Sequence, residues 1–239
     1  MGDKREDYRG LFVVFEGIDG AGKLRQARML QEYIQGDSKY TDVVMTHEPW
    51  RSAEIKRKLE QDRDSFSDGR EMAKLFVEDR FNHTKYLIRP VLNAGGIVLC
   101  DRYKMSTCAY QWVQEIDLHE LLEMHVDRGL LTPDITFLLD INRETAERRR
   151  KGRDRLAEKY EENKTFVDKL INAYQSLAHM ANVDENIFGR VVVINGIGSA
   201  EEIFDRVRDS FEPVYRSWRE KHAPSVSSVS VRARKEKKD

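Results

Sequence analysis

The residues best equipped for chemistry are Gly17-Ile18-Asp19-Gly20-Ala21-Gly22-Lys23, directly after the apolar run Leu11 to Phe15 and before a helical pattern from Leu24 to Ile34. A G-x-x-x-x-G-K spacing between strand and helix lets main-chain N–H groups curl around phosphate oxygens, while the helix N-terminus adds partial positive charge. Lys23 would reach the β and γ phosphates of a bound triphosphate. The position after the lysine breaks the pattern: it ordinarily holds a Ser or Thr whose hydroxyl ligates Mg²⁺, and Leu24 has no oxygen to offer a hard cation. Phosphate binding by the backbone survives that change, so metal placement must come through water and a second carboxylate. Asp101 is the candidate, because it follows the apolar run Ile97 to Cys100 and so falls on the sheet edge that carries the phosphate loop. A strand-end cap is its plainer alternative.

A sheet is needed to hold these residues. Five short runs supply it: Leu11 to Phe15, Val43 to Met45, Ile97 to Cys100, Ile135 to Leu139 and Val191 to Ile194. Each is nearly continuous in apolar character, which is how strands buried on both faces read. Between them lie helical patterns, Met72, Leu75, Phe76, Leu87, Ile88 and Val91 on one long segment and Phe166, Leu170, Ile171, Tyr174 and Leu177 on another. Alternating strand and helix predicts an α/β fold with a parallel sheet.

Length and composition bound the rest. The 239 residues predict one large domain, or one domain with an appendage. Hydrophobic residues at 40% argue against a wholly disordered chain, while 35% charged residues and a mean hydropathy of −0.67 argue against an integral membrane protein. The 41 basic and 42 acidic residues nearly cancel, which gives no reason to expect a nucleic-acid or membrane partner. No apolar stretch approaches the length of about 18 residues that spans a bilayer, and Met1 to Arg9 is charged without an apolar core, so a cytoplasmic protein is expected. In that compartment Cys100 and Cys108 are expected to be free thiols, and the N-x-[ST] matches at Asn82 and Asn163 to be chance.

The expected organisation is a charged extension at 1–9, a folded domain at 10–215 and a basic, disordered tail at 216–239. From Arg219 onward the tail carries seven basic residues against three acidic. One segment inside the domain, Arg143 to Glu162, is dense in charge, and its plain reading is a solvated helix face.

Taken together, Phe15 to Lys23 (F-E-G-I-D-G-A-G-K), His47 to Pro49 (H-E-P), Leu75 to Arg80 (L-F-V-E-D-R), Asp101 to Gln111 (D-R-Y-x-x-S-x-x-A-Y-Q) and Pro133 to Asp140 (P-D-I-T-F-L-L-D) resemble the thymidylate kinase family of nucleoside monophosphate kinases. The resemblance covers about Leu11 to Phe211. It implies a three-layer sandwich of the P-loop NTPase type, a five-stranded parallel sheet with helices on both faces and a basic lid, here at about 148–160. It implies transfer of the ATP γ-phosphate to dTMP with Mg²⁺, and a homodimer.

By the same resemblance, Asp19 would hold the acceptor sugar near the donor phosphate, Phe76 would stack on thymine, and Arg80, at i+4 on the same helix face, would hydrogen-bond the base. Arg102 would clamp the acceptor monophosphate, a task suited to a planar bidentate donor. Tyr110 would crowd the sugar 2′ position, and Ser106 and Gln111 would add polar contacts around the base. Gly20 stands where other members carry an arginine, which implies that the catalytic arginine comes from the lid; Arg149, Arg150, Arg153 and Arg155 are candidates, with Arg153 and Arg155 favoured beside Gly152. Two departures bear on the acceptor. The family's usual Arg-Glu-Pro is His47-Glu48-Pro49 here, and Trp50-Arg51 replaces the glycines that commonly follow, with Arg51 able to restore the missing charge. These departures and Leu24 leave two alternatives open, a kinase for a different nucleoside monophosphate and a nucleotide-binding homologue with little turnover.

Overall fold

The computed structural model describes residues 8–61, 68–150, 163–181 and 187–222. Five strands form one sheet: β1 (Leu11–Glu16), β2 (Val43–His47), β3 (Ile97–Asp101), β4 (Ile135–Asp140) and β5 (Arg190–Asn195). Their order is β2-β3-β1-β4-β5, and every neighbouring pair is parallel. Each expected apolar run is a strand, extended at its C-terminal end by at least one polar residue: Glu16, His47, Asp101, Asp140 and Asn195. Each strand therefore ends in a polar residue along one edge of a largely apolar sheet. β1 sits between β3 and β4, where the direction of winding reverses and a crevice opens beyond the strand ends. All six residues of β1 are buried, as continuous apolar runs predict, whereas β2 and β5 are edge strands and are partly exposed.

Alternation along β1 assigns the helices to layers. Phe12 and Val14 pack with Ile88, Leu92 and Tyr103, while Leu11, Val13 and Phe15 share the larger core with Leu30 and Ile34 of α1 (Lys23–Asp37) and Val207 and Phe211 of α9 (Ala200–His222). α1 and α9 also pack on each other. Elsewhere α5 (Lys104–Val113) packs against α3 (Gly69–His83), α6 (Leu118–Asp127) and α8 (Lys164–Ala181). The long apolar pattern from Met72 to Val91 is one continuous helical run, because α3 passes through a π-helical turn at Thr84–Ile88 into α4 (Arg89–Asn93). Two short helices, α2 (Ala53–Gln61) and α7 (Arg143–Arg150), complete the described elements.

The tail expected from residue 216 is helical over its first residues. α9 continues to His222, because Trp218 stacks on Tyr215 with ring centroids 5.8 Å apart and its indole N–H donates to the Arg9 carbonyl at 2.8 Å. Arg219 pairs with Asp37 of α1. Residues 223–239 lie outside the described residues. Both cysteines are buried free thiols, and burial pushes the Cys108 thiol up to about 12 and that of Cys100 well above its usual range.

At the base of the sheet, Gly10 enters β1 against the backbone of the β3 approach. A methyl group there would lie 2.2 Å from the Gly96 carbonyl oxygen and 2.7 Å from the Leu92 Cα, both of them backbone atoms. Gly10→Ala is expected to cost about 2 kcal/mol as overpacking, which is about 4–8 °C in melting temperature for a chain of this size; an unchanged melting curve would refute the close approach.

Candidate active site

The loop after β1 is built around a left-handed backbone. Gly22, at φ 95°, caps α1 and turns its first N–H groups into the loop, and Gly20, at φ 90°, lies against α7, where an added Cβ would meet the Ala146 carbonyl oxygen at 2.9 Å. Lys23 is almost wholly buried, and its ammonium donates to the carbonyls of Gly17 at 2.9 Å and Ile18 at 3.0 Å, 3.8 Å from the Asp19 carboxylate. A concentrated positive charge thus sits within the loop, held by two of its carbonyls. Ile18 and Ala21 are buried beneath it, and Leu24 turns its apolar side chain outward, 45% exposed. From α7, Arg149 donates to the carbonyls of Gly196 at 2.9 Å and Gly198 at 3.3 Å, with a longer contact to Ala21 at 3.5 Å, so it ties the loop to the turn after β5.

Arg102 follows β3 directly and holds φ at 70°, a left-handed conformation rare for a side chain of its size. Its guanidinium pairs with Asp19 and donates to Ser106 Oγ at 3.1 Å and the Tyr110 hydroxyl at 3.3 Å. Burial alone would raise the Asp19 pKa, but Arg102, Lys23 and Arg150 outweigh it and hold the carboxyl below its usual range. Asp19 is an anion wedged between three cations.

The backbone around Arg102 is held by Glu16, the fully buried last residue of β1. Glu16 accepts from the main-chain N–H of Tyr103 at 2.8 Å and Ser106 at 3.1 Å, and from the Ser106 hydroxyl at 2.6 Å. It thereby caps α5, whose own flanking residue Tyr103 makes no side-chain cap. The Tyr174 hydroxyl of α8 joins Ser106 Oγ at 2.9 Å. Desolvation raises the Glu16 pKa even though these donors and Arg102 favour the carboxylate.

A second buried cluster centres on Glu48. Arg80 donates to its carboxylate at 2.6 Å, and the His83 ring lies 3.1 Å from the other oxygen, with its Nε2 2.7 Å from Thr46 Oγ1. The remaining Arg80 donors reach the Tyr103 carbonyl at 2.9 Å, Thr107 Oγ1 at 3.1 Å and His125 Nε2 at 2.8 Å. His125 Nδ1 is 2.6 Å from the Leu121 carbonyl, which accepts only, so Nδ1 carries the proton and Nε2 accepts from Arg80. Burial, then the Arg80 charge, push the His125 pKa well below its usual range. Arg80, expected beside a base, is 1% exposed and donates to four groups of this cluster.

The other expected residues fall around these two clusters. Phe76 is half-buried on α3, and Arg51 is exposed, its guanidinium 4.5 Å above the Trp50 ring. Gln111 is buried with its Oε1 unpartnered. Ser106, expected near a base, is bonded to Glu16 and Tyr174. Asp101 registers beside Phe15 and His47, and its Oδ1 is, among the described residues, the only buried carboxylate oxygen without a hydrogen-bond partner. That oxygen fits a cation reached through water; no group of three or more His, Cys, Asp or Glu among the described residues forms a cage of its own. Arg153 and Arg155 lie outside the described residues. Glu16, His83, His125 and Tyr174 have no place in the expected site, and Arg149, one of the lid candidates, donates to the Gly196 and Gly198 carbonyls. Glu16 alone carried a signal, as a charge ending an apolar run.

Comparison with known proteins agrees with this geometry. The sequence model of the thymidylate kinase family matches residues 15–189. The chain belongs to the thymidylate kinase family. It is 35% identical over 202 residues to a probable thymidylate kinase of Pyrococcus horikoshii, covering 82% of this chain and 92% of that one. It is 42% identical over 158 residues to the thymidylate kinase of Ruegeria pomeroyi, covering 64% of this chain and 74% of the relative. A crystal structure of thymidylate kinase from Ehrlichia chaffeensis shares the fold, with a TM-score of 0.67 at 24% identity over 84% of this chain and 98% of that one. Within this thymidylate kinase fold, the sheet edge carries the Gly17 to Lys23 loop, Arg102 and Glu48.

His125 gives a test of the second cluster. Its folded pKa lies below the unfolded value near 6.5, so on acidification the unfolded chain takes up the proton first and stability is lost below about pH 6.5. His125→Gln can keep both hydrogen bonds without titrating. Wild type is expected to lose about 1 kcal/mol more than this variant per pH unit between pH 6 and 5, measured by denaturant unfolding; parallel pH profiles would contradict a neutral, buried His125.

Proposed function

We propose that the protein transfers the γ-phosphate of ATP to dTMP, giving dTDP and ADP, with Mg²⁺ as the accompanying cation. The Arg102–Asp19 pair beside Lys23 carries this reading. Phosphoryl transfer asks a protein for positioning and charge stabilisation rather than covalent chemistry, and it asks for them where donor and acceptor phosphates meet. Backbone amides from Gly17 to Leu24 and the Lys23 ammonium receive the triphosphate. Arg102 exchanges part of its contact with Asp19 for the acceptor phosphate, and Asp19 turns to the acceptor sugar. Phe76 stacks on the thymine, Gln111 and Arg80 bound the base edge, and Tyr110 guards the sugar 2′ position. Glu48 holds Arg80, and Arg51 adds a cation on the acceptor side.

Mg²⁺ would be held by Asp101 through water and by the phosphates themselves, and when bound it neutralises charge on the β and γ phosphates. Arg153 or Arg155 of the lid supplies the arginine that meets the transferring group. The enzyme works as a cytoplasmic homodimer, with no nucleic-acid or membrane partner. No described helix is long and apolar enough to cross a membrane.

Purified protein given ATP, Mg²⁺ and dTMP is expected to form dTDP, with Lys23→Ala slower by at least about 10²-fold. A panel of other nucleoside monophosphates should react far less well, and a better acceptor among them would displace dTMP from this reading. A separate expectation concerns Leu24. If the missing hydroxyl limits metal placement, Leu24→Ser should lower the Mg²⁺ concentration giving half-maximal rate severalfold; an unchanged Mg²⁺ titration would show that Asp101, water and phosphate suffice.

A further inference from the structure

Helix α3 places Phe76, Asp79, Arg80 and His83 at i, i+3, i+4 and i+7, on one face. Arg80 and His83 hold Glu48, as described above. Asp79 does the reverse, a carboxylate on α3 that receives the chain following Glu48. It is buried, and it accepts from three successive main-chain N–H groups: Trp50 at 2.5 Å, Arg51 at 3.1 Å and Ser52 at 2.9 Å. Ser52 in turn caps α2, accepting from the Ile55 N–H at 3.2 Å. Charge-assisted hydrogen bonds of this kind are roughly twice as strong as neutral ones, and three on one carboxylate leave the segment little freedom. The Trp50 ring lies flat on His83, with centroids 5.1 Å apart and planes 16° apart, and the Arg51 guanidinium sits over that ring.

The helix that carries Phe76 thus fixes the main chain of Arg51 at two points, through Glu48 and through Asp79. The segment also leaves the sheet beside Arg102, since the Glu48 N–H donates to the Asp101 carbonyl at 3.0 Å. Arg51 is exposed, held at the backbone, and among the described residues its side chain rests on Trp50. We infer that Asp79 is a positioning residue for acceptor recognition: it sets the reach of Arg51 relative to Phe76, so that a nucleoside monophosphate spans them with its base at one and its phosphate at the other. This rests on the acceptor reading proposed above. It assigns to Asp79 the part of acceptor affinity that comes from the phosphate and none of the part that comes from the base.

Calorimetric titration with dTMP and with thymidine, which lacks the phosphate, separates the two parts. Asp79→Asn replaces one acceptor oxygen by an NH₂ group that faces backbone N–H groups. It is expected to weaken dTMP about tenfold and thymidine less than twofold, and in the kinase assay to raise KM for dTMP with kcat and KM for ATP nearly unchanged. Arg51→Ala should behave alike. The double variant should bind dTMP no more weakly than Arg51→Ala alone, because Asp79 acts through Arg51. Melting curves establish folding, and should Asp79→Asn not fold, Asp79→Glu, which keeps the charge but displaces it by one methylene, carries the same expectation. Equal weakening of thymidine and dTMP, additive losses in the double variant, or unchanged dTMP binding would each overturn the inference and leave Asp79 as an anchor for α2. Wild-type protein that binds neither compound would remove the acceptor reading itself, and this inference with it.

Discussion

A guanidinium forced into place by its neighbours is what the active-site geometry depends on. Arg102 sits at φ 70°, and a left-handed conformation at such a residue costs on the order of 1–3 kcal/mol. That cost is met by Glu16, which grips the N–H groups of Tyr103 and Ser106 and so fixes the backbone just beyond the strained residue. The conformation turns the Arg102 side chain back toward the phosphate loop, where Asp19 and Tyr110 receive it. Without Glu16, α5 would begin uncapped, and the turn would keep only the Arg102 N–H on the Phe15 carbonyl and Arg80 on the Tyr103 carbonyl. Glu16 is itself an expensive group to bury, and its raised pKa records that expense. The β1–α5 junction is thus a place where stability is given up for a fixed cation.

The Glu48 cluster follows a different logic. A buried ion pair is weak support for stability as such, but removing either partner strands a charge and costs about 3–5 kcal/mol. Arg80 joins Glu48, Tyr103, Thr107 and His125, from the end of β2, the junction after β3, α5 and α6, so the cluster locks these elements in one arrangement. Tyr103 belongs to both clusters: its N–H goes to Glu16 and its carbonyl receives Arg80. Through Tyr103, α3 is thus tied to the backbone next to Arg102.

This pattern explains what could be read from the chain alone. The phosphate loop, the five strands and the D-R-Y segment were legible because each is a local signal, a spacing or an apolar run with one charge at its end. Arg80 is legible as a candidate site residue but not as a buried one, because helical periodicity places it beside Phe76 and cannot tell that Glu48, far away in sequence, turns to meet it. His125 left no trace, since a histidine four residues after Leu121 on an amphipathic helix looks like any other. Glu16 stood in plain view within F-E-G, but its role needs α5 to arrive at its carboxylate. The tail boundary was missed for a similar reason: the stacking of Tyr215 and Trp218 and the bond to the Arg9 carbonyl are tertiary contacts in a segment whose composition is polar.

Leu24 shows how far backbone chemistry can stand in for a side chain. The loop's left-handed glycines, the N-terminus of α1 and the Lys23 ammonium need no hydroxyl, because the N–H groups and the ammonium together present the positive field that phosphate oxygens seek. What a hydroxyl adds is one inner ligand for a small divalent cation, and such a cation keeps several waters in any case. Asp101 ends the strand beside β1 with an unpartnered oxygen at that edge, so the sheet already offers a carboxylate where the loop offers none. On the function proposed here, an aliphatic residue at this point trades one metal ligand for an apolar surface and leaves the amide and ammonium donors to phosphate in place.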